Sequence, residues 1–590
     1  MVVRIVLGVL LLLAGCAEDS EPAAGTSNGN AQGTSANGGT NRRDAAVARD
    51  AAGPSRAKDA KADEPADTDQ SADTDEPADT GSDPSKPSDG GAKPAKPAAT
   101  PPVLDDTLRI TWTRCDTSYE CATLKVPVDY DDASHGSLDI ALKRAAATGK
   151  RIGSLLINPG GPGGSGIDFL SGLLPGIKNL RARFDIVAFD PRSVGQSTPL
   201  DCHSTLQKLV SADPSPDSDA KWMTVDKLSQ SFADECEKKY PKLLPYLGTQ
   251  NVARDMDRIR AGLGEAKLSF LGFSYGTSIG AWYAQLFPQR VRALVLDGAV
   301  TQELSAMDMA LEQAKGFELA LANYFAWCRE SASRCTWAQN KPPESAFASL
   351  QASIEAKPLP ASGYDRPAGP GEFMLAAIMP LYGGEQGWQL LSNALLGAVR
   401  GDGGTLIQLT DAYLERGKDG KYPNITEVNN AVNCVDHASP DVAEVRANAQ
   451  RFQSGAPIFG LGSLSALLVC SHWGAMGIDT PPPTGQGAPP IVVVGTINDP
   501  ATPYAWAESL AKELASGVLL TWEGEGHTAY TRGSACIDAA VEAYFIDGKV
   551  PAAGLRCPAT ASLVASPLLA PAAEPSPLSL PLVRTRVRGR

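Results

Sequence analysis

Glycines flank a serine in Gly272-Phe273-Ser274-Tyr275-Gly276, directly after the apolar run Leu268–Leu271 and ahead of a helix-compatible stretch that ends at Phe287-Pro288. A serine on a sharp strand-to-helix turn exposes its hydroxyl at the strand end, and residues two places to either side must be small to avoid clashing across the turn. The chemistry this suits is nucleophilic attack on a carbonyl, provided a base and an acid follow. The pattern alone is weak, since Gly276-Thr277-Ser278-Ile279-Gly280 also matches. Ser278 would lie a turn inside the helix, away from the strand end, so Ser274 is the candidate nucleophile.

Acid and base do follow. The run Ile491–Val494 leads into Asp499, and Val518–Leu520 leads into His527. Open α/β sheets place their sites just past the C-terminal ends of parallel strands. The other four histidines are His135 in a polar turn, His203 beside Cys202, His437 beside Asp436, and His472 near Cys470. A structural or surface role suits each better, with His437 retaining some claim to a site. Negative charge developing on a substrate carbonyl oxygen also needs backbone N–H donors at close approach. The glycine-rich stretch 158–166 after the run 155–157 offers them, and Gly161 N–H and Tyr275 N–H are the candidate donors. A phosphate loop is the competing reading of that stretch, but it lacks the closing Lys and Ser or Thr that such loops carry.

These residues need a scaffold. Short apolar runs at 155–157, 185–189, 268–271 and 293–296, each ended by Gly, Pro or Asp, read as buried parallel strands of an α/β sheet. Two more, at 491–494 and 518–520, come only after an interruption of about 180 residues. The expected organisation is a leader at 1–16, a disordered linker at 17–102, a first core segment at 103–302, an inserted largely helical domain at 303–480, a second core segment at 481–558 and a loose tail at 559–590.

At the start, Arg4 precedes the apolar stretch Ile5–Ala14, the pattern of an export signal. It closes on Leu13-Ala14-Gly15-Cys16, which resembles the lipobox of bacterial lipoproteins and implies acylation of Cys16 and attachment to a membrane outside the cytoplasm; a plain secretory signal is the alternative. No later apolar run is long enough to span a bilayer. The formal charge is −14, but residues 17–102 hold sixteen Asp/Glu and nine Lys/Arg, so half of it belongs to a segment too poor in apolar residues to fold. An acidic chain of this kind excludes nucleic acid as the expected partner. With Cys16 set aside, ten cysteines remain, an even number that suits disulfides in an exported protein. Pairing neighbours (115–121, 202–236, 328–335, 434–470, 536–557) is the simplest of the connectivities ten cysteines allow. No cysteine or histidine spacing suits zinc, so no metal is expected.

The motifs Asn158-Pro159-Gly160-Gly161-Pro162-Gly163, Asp190-Pro191-Arg192 with Gly195 and Ser197, Gly272–Thr277, Leu296-Asp297-Gly298 and Asp499-Pro500 with Thr502-Pro503 occur in that order. From about 104 to 557 the chain resembles the tripeptidyl-aminopeptidase branch of the prolyl-aminopeptidase family, serine peptidases of the α/β-hydrolase fold. Ser193 stands where that family usually has glycine. The resemblance implies an α/β-hydrolase core and a catalytic relay of Ser274, Asp499 and His527 that needs no cofactor. It also implies that the insertion roofs the site as a cap, whose carboxylates receive the free α-amino group of a peptide; Glu385 and Asp436 are the candidates by location. The expected function is a serine exopeptidase that trims peptides, tripeptides foremost, from a free N-terminus. An esterase using the same residues and a catalytically silent binding lipoprotein are the alternatives.

Overall fold

The computed structural model describes residues 108–559 except positions 203, 476, 478 and 479. The leader with Cys16, the 17–102 segment, the tail beyond 559 and His203 lie outside the described residues. Among the described residues ten strands form one sheet: β1 (Thr113–Arg114), β2 (Glu120–Pro127), β3 (Ser137–Ala145), β4 (Gly153–Asn158), β5 (Phe184–Phe189), β6 (Leu268–Phe273), β7 (Val291–Asp297), β8 (Ile491–Asn498), β9 (Gly517–Glu525) and β10 (Leu555–Pro558). Their spatial order is β1-β2-β3-β5-β4-β6-β7-β8-β9-β10. The first three strands pair antiparallel, and every pairing from β5 to β10 is parallel.

The centre of the sheet is apolar on both faces, which is why its strands read as unbroken apolar runs. Successive residues point to opposite sides. Leu156, Val187, Phe270 and Val493 pack on one face under the helices Thr249–Gly262 and Gly276–Leu286. Leu155, Ile186, Leu271 and Val492 pack on the other, against Gly166–Leu173 and Ala535–Asp547. β2 and β3 are the strands expected on either side of the His135 turn and alternate buried with more exposed positions, whereas the edge strands β1, of two residues, and β10, of four, were not anticipated.

Between β7 and β8 the elements among the described residues are helices joined by loops, from Ala306–Glu330 to Leu468–Ser471, with one isolated bridge between Leu359 and Ala368. This segment has an apolar core of its own, built around Phe317, Tyr324, Trp337, Phe373 and Leu391. The five neighbour disulfides are all present, and such bonds persist outside the reducing cytoplasm. Cys434–Cys470 ties the helix Ile425–Asp436 to the last helix of the segment, and Cys536–Cys557 ties β10 to the helix before it. Among the described residues no helix is long and apolar enough to cross a membrane.

Candidate active site

Ser274 follows β6 directly and takes a left-handed backbone, φ 54°. Two bonds hold it there: its N–H donates to Asp297 O at 2.8 Å, and its carbonyl accepts Thr277 N at 2.8 Å. The flanking glycines are steric necessities. A Cβ on Gly272 would sit 2.5 Å from Gly276 O, and one on Gly276 would sit 2.9 Å from Asn158 Oδ1. Ser278 lies inside the helix, where its hydroxyl accepts Gln302 Nε2 at 2.9 Å.

Asp499 lies just past β8, and its buried carboxylate collects donors. Ala501 N and Thr502 N donate to Oδ1 at 2.9 and 2.8 Å; Thr502 Oγ1 and Thr528 N donate to Oδ2 at 3.0 and 3.1 Å. His527, just past β9, brings Nδ1 to 2.9 Å from Oδ1 and 3.0 Å from Oδ2. A ring whose Nδ1–H is held by a carboxylate presents Nε2 as the proton acceptor. The rest of the imidazole is framed by the helical segment. His527 N donates to Tyr382 O at 3.0 Å, and the Tyr382 ring meets it edge-on, at 5.3 Å between centroids and 88°.

The glycine-rich loop after β4 packs against the serine turn. Asn158 Oδ1 accepts Gly160 N at 2.9 Å, bending the chain into the positive φ values of Gly160 (92°) and Gly161 (116°). A Cβ on Gly160 would lie 2.5 Å from Phe273 O, 2.9 Å from Ser274 Cβ and 3.0 Å from Tyr275 N. Among the described residues neither Gly161 N–H nor Tyr275 N–H has a protein acceptor. Asp190 anchors the far end of the loop, accepting Ser165 Oγ at 2.7 Å and Ile167 N at 3.1 Å. Its burial raises its pKa above the ordinary carboxylate value. Arg192 is fully buried in a two-bond pair with Asp255, at 2.8 and 2.7 Å. Ser193 has φ 64°, the conformation that explains a glycine at this place in relatives of the resembled family.

Asp297, the last residue of β7, was noticed only as part of a motif. Its carbonyl takes Ser274 N, and its fully buried carboxylate accepts Ala529 N (2.9 and 3.1 Å) and Tyr530 N (2.8 Å), so one residue ties the serine turn to the histidine loop. Burial, outweighing those amide bonds, pushes its pKa up to about 6. Its partners are backbone amides over 230 positions away, which leave no mark on residue type.

Two cavities adjoin at Ser274. The larger, about 1270 Å³, lies under the helical segment and is lined by Ser274, Tyr275, Gln302, Asn433 and Asp436 among others. The smaller, about 290 Å³, is lined by Ser274, His527, Phe169, Phe273 and Arg532 among others, and Gly161 borders both. Asp436 thus faces the larger cavity; it accepts Thr249 N at 2.8 Å and the Thr249 hydroxyl, which in turn takes a bond from Tyr275 OH at 2.6 Å. Burial raises the pKa of Asp436 above its ordinary value. Glu385 departs from expectation. It is exposed at the first turn of Glu385–Val399 and lines neither cavity, and its field falls on another acid, Glu525. Location in the insertion did not reveal which acids line a cavity. His437 borders the larger cavity, His135 bonds Asp129 at 3.2 Å, and His472 bonds Asp226 at 2.7 Å.

Residues 153–373 match the α/β-hydrolase fold family, and residues 456–557 match the family described as TAP-like protein. The chain is 38% identical over 481 residues to "Serine protease Hip1" of Mycobacterium tuberculosis, covering 76% of this chain and 91% of that protein. It is 36% identical over 468 residues to "Carboxylesterase B" of the same species, covering 76% and 89%. It is 30% identical over 472 residues to "Tripeptidyl aminopeptidase" of Streptomyces lividans, covering 76% and 86%.

Proposed function

The chain belongs to the α/β-hydrolase family, in its tripeptidyl-aminopeptidase-like branch, and is a serine hydrolase of the peptidase type; from that premise we propose that it releases tripeptides from peptides with a free N-terminus. In this reading Ser274 Oγ attacks the carbonyl carbon, and His527 Nε2 takes its proton. Asp499 holds the imidazole by Nδ1 and balances the imidazolium that forms. Gly161 N–H and Tyr275 N–H receive the charge on the carbonyl oxygen. The C–N bond then breaks, the departing amine takes the proton from His527, and an acyl-enzyme remains on Ser274. Water, deprotonated by His527, attacks that ester and frees the tripeptide.

The observation that carries this reading is the Asp499–His527 pair, whose histidine lines the same cavity as Ser274 on its left-handed turn. The larger cavity serves as the acyl side under the helical cap, and Asp436 on its wall is the candidate anion for the substrate's α-ammonium. Release of nitroaniline from an unblocked tripeptidyl nitroanilide tests the reading. Activity should vanish in Ser274→Ala and fall at least tenfold when the peptide is acetylated; equal cleavage of blocked and unblocked substrate refutes the aminopeptidase assignment. The 36% identical relative named as a carboxylesterase favours a second reading, an esterase with the same residues. Short-chain nitrophenyl esters turned over far better than any free-amine peptide would establish it.

Export and a lipid anchor on Cys16 belong to the same proposal, supported by the leader pattern and the disulfide-rich body. Replacing Cys16 by Ser should move the protein from the membrane fraction to the soluble one; unchanged fractionation refutes the anchor.

A further inference from the structure

The geometry of the proton transfer assigns the two cavities to opposite ends of the scissile bond. With Nδ1 of His527 held by Asp499, only Nε2 can deliver a proton to the departing amine, so that amine must lie on the His527 side of Ser274. Of the two cavities that meet at Ser274, the smaller is lined by His527 and by the loop that follows it, Thr528, Tyr530, Thr531 and Arg532. The larger has Tyr275 and the helical segment for its walls, without His527. The smaller cavity is therefore the leaving side. At about 290 Å³ it lies at the small end of ligand sites, roughly 300–1,000 Å³, and admits a short remnant.

Its walls are mostly apolar, with Phe169, Leu173, Phe273 and Leu414 among them, and Arg532 is the one permanently charged side chain on them. The guanidinium is fixed in place. Nε and Nη2 donate to His527 O at 3.2 and 2.8 Å, and Nη2 also reaches toward Tyr382 O at 3.4 Å. Both acceptors are neutral carbonyls, and among the described residues no carboxylate lies within ion-pair distance of it. The acids whose fields reach it, Asp297 and Asp499, already accept the amides of Ala529 and Tyr530 and the ring of His527. Burial pulls the pKa of Arg532 below its ordinary value, the mark of a cation not fully compensated. Desolvated charge of this kind is costly unless an opposite charge comes to it.

We propose that Arg532 makes the smaller cavity a carboxylate receptor, so that preferred substrates carry a carboxylate on the residue immediately after the cut. The inference rests on the peptidase reading and deepens it. Two sources supply that group: the C-terminus of a tetrapeptide, or an Asp or Glu side chain at that position of a longer peptide. An arginine fork suits either through paired hydrogen bonds.

The test uses full-length protein and two matched pairs of free-amine peptides: a tetrapeptide acid against its C-terminal amide, and amidated hexapeptides with Asp or Asn as fourth residue. The expected result is a preference of about tenfold or more in kcat/KM for the carboxylate member of at least one pair, the scale of one charge-assisted hydrogen bond. The pair that shows it identifies the source. In Arg532→Gln the preference should collapse toward unity, and in Arg532→Lys it should survive in part. The ratio is internal to each protein, so a general loss of activity does not move it. Equal rates within both wild-type pairs overturn the inference even if no variant folds, and so does a preference that persists in Arg532→Gln. If wild-type protein cuts none of the four peptides, the peptidase reading itself falls; if it cuts all four without preference, only the receptor falls.

Discussion

Replacing Asp297 by Asn isolates a contest between two forces on one buried carboxylate. Loss of water favours the protonated form, while the amides of Ala529 and Tyr530 favour the anion. Burial prevails and lifts the pKa from an ordinary 3.8 to about 6. Between those values the native protein binds a proton that the unfolded chain has released. The carboxyl group's contribution to stability is therefore complete below about pH 4 and is lost as pH rises through about 6. A gap of about two pH units corresponds to about 3 kcal/mol at about 1.36 kcal/mol per unit. Asn cannot ionise, and one amide oxygen at the Oδ2 position can still accept both backbone N–H groups. Urea unfolding followed by tryptophan fluorescence, with disulfides intact, should show the stability of wild type minus that of Asp297→Asn falling by about 2.5 kcal/mol between pH 4 and pH 7.5, the rest of the change lying below pH 4. Asp538, also pushed up to about 6 by burial, is present in both proteins and cancels in the difference. A difference that rises with pH would mean that the amide bonds outweigh desolvation, and a flat one that the forces balance; either refutes the reasoning.

Thr502→Val removes the hydroxyl that donates to Asp499 Oδ2 at 3.0 Å and lies 3.3 Å from His527 Nδ1. Steady-state kinetics should show kcat reduced about tenfold with little change in KM, on the scale of one hydrogen bond to a charged group. Gly160→Ala forces a Cβ against Phe273 O and Ser274 Cβ at a φ of 92°, so fluorophosphonate labelling of Ser274 should slow by about a hundredfold, as when an oxyanion donor is displaced. Arg192→Lys cannot reproduce the two-bond pair with Asp255 or the bonds to Val128 O and Tyr246 O. Urea unfolding should register a loss of about 1–3 kcal/mol for these lost bonds, rising to about 3–5 kcal/mol in Arg192→Met, which leaves Asp255 buried without its cation.

The parts legible in residue order share one property: their constraint is local. The central strands are apolar on both faces and therefore read as continuous runs. The serine turn requires glycine on both sides, because Gly272 and Gly276 approach neighbouring backbone and Asn158 too closely for any Cβ. Neighbour pairing of the cysteines succeeded because each bridge joins elements that are close along the chain. By contrast, the half-exposed alternation of β2 and β3 showed only as strands around a turn, without bounds, and β1 and β10 are too short to stand out from a loop.

Chain order and residue type by themselves determined the sheet's central strands, the serine turn and the choice of one acid and one histidine for the site. Tertiary structure alone decided that Asp297 braces two distant loops, that Asp436 lines the larger cavity while Glu385 lines neither, and that Arg532 lines the smaller one with no counter-ion among the described residues. The physical reason is that steric rules at a turn act between near neighbours and select residue types. Charge compensation and desolvation, by contrast, depend on backbone groups brought together from hundreds of positions apart, and any residue can supply an amide or a carbonyl.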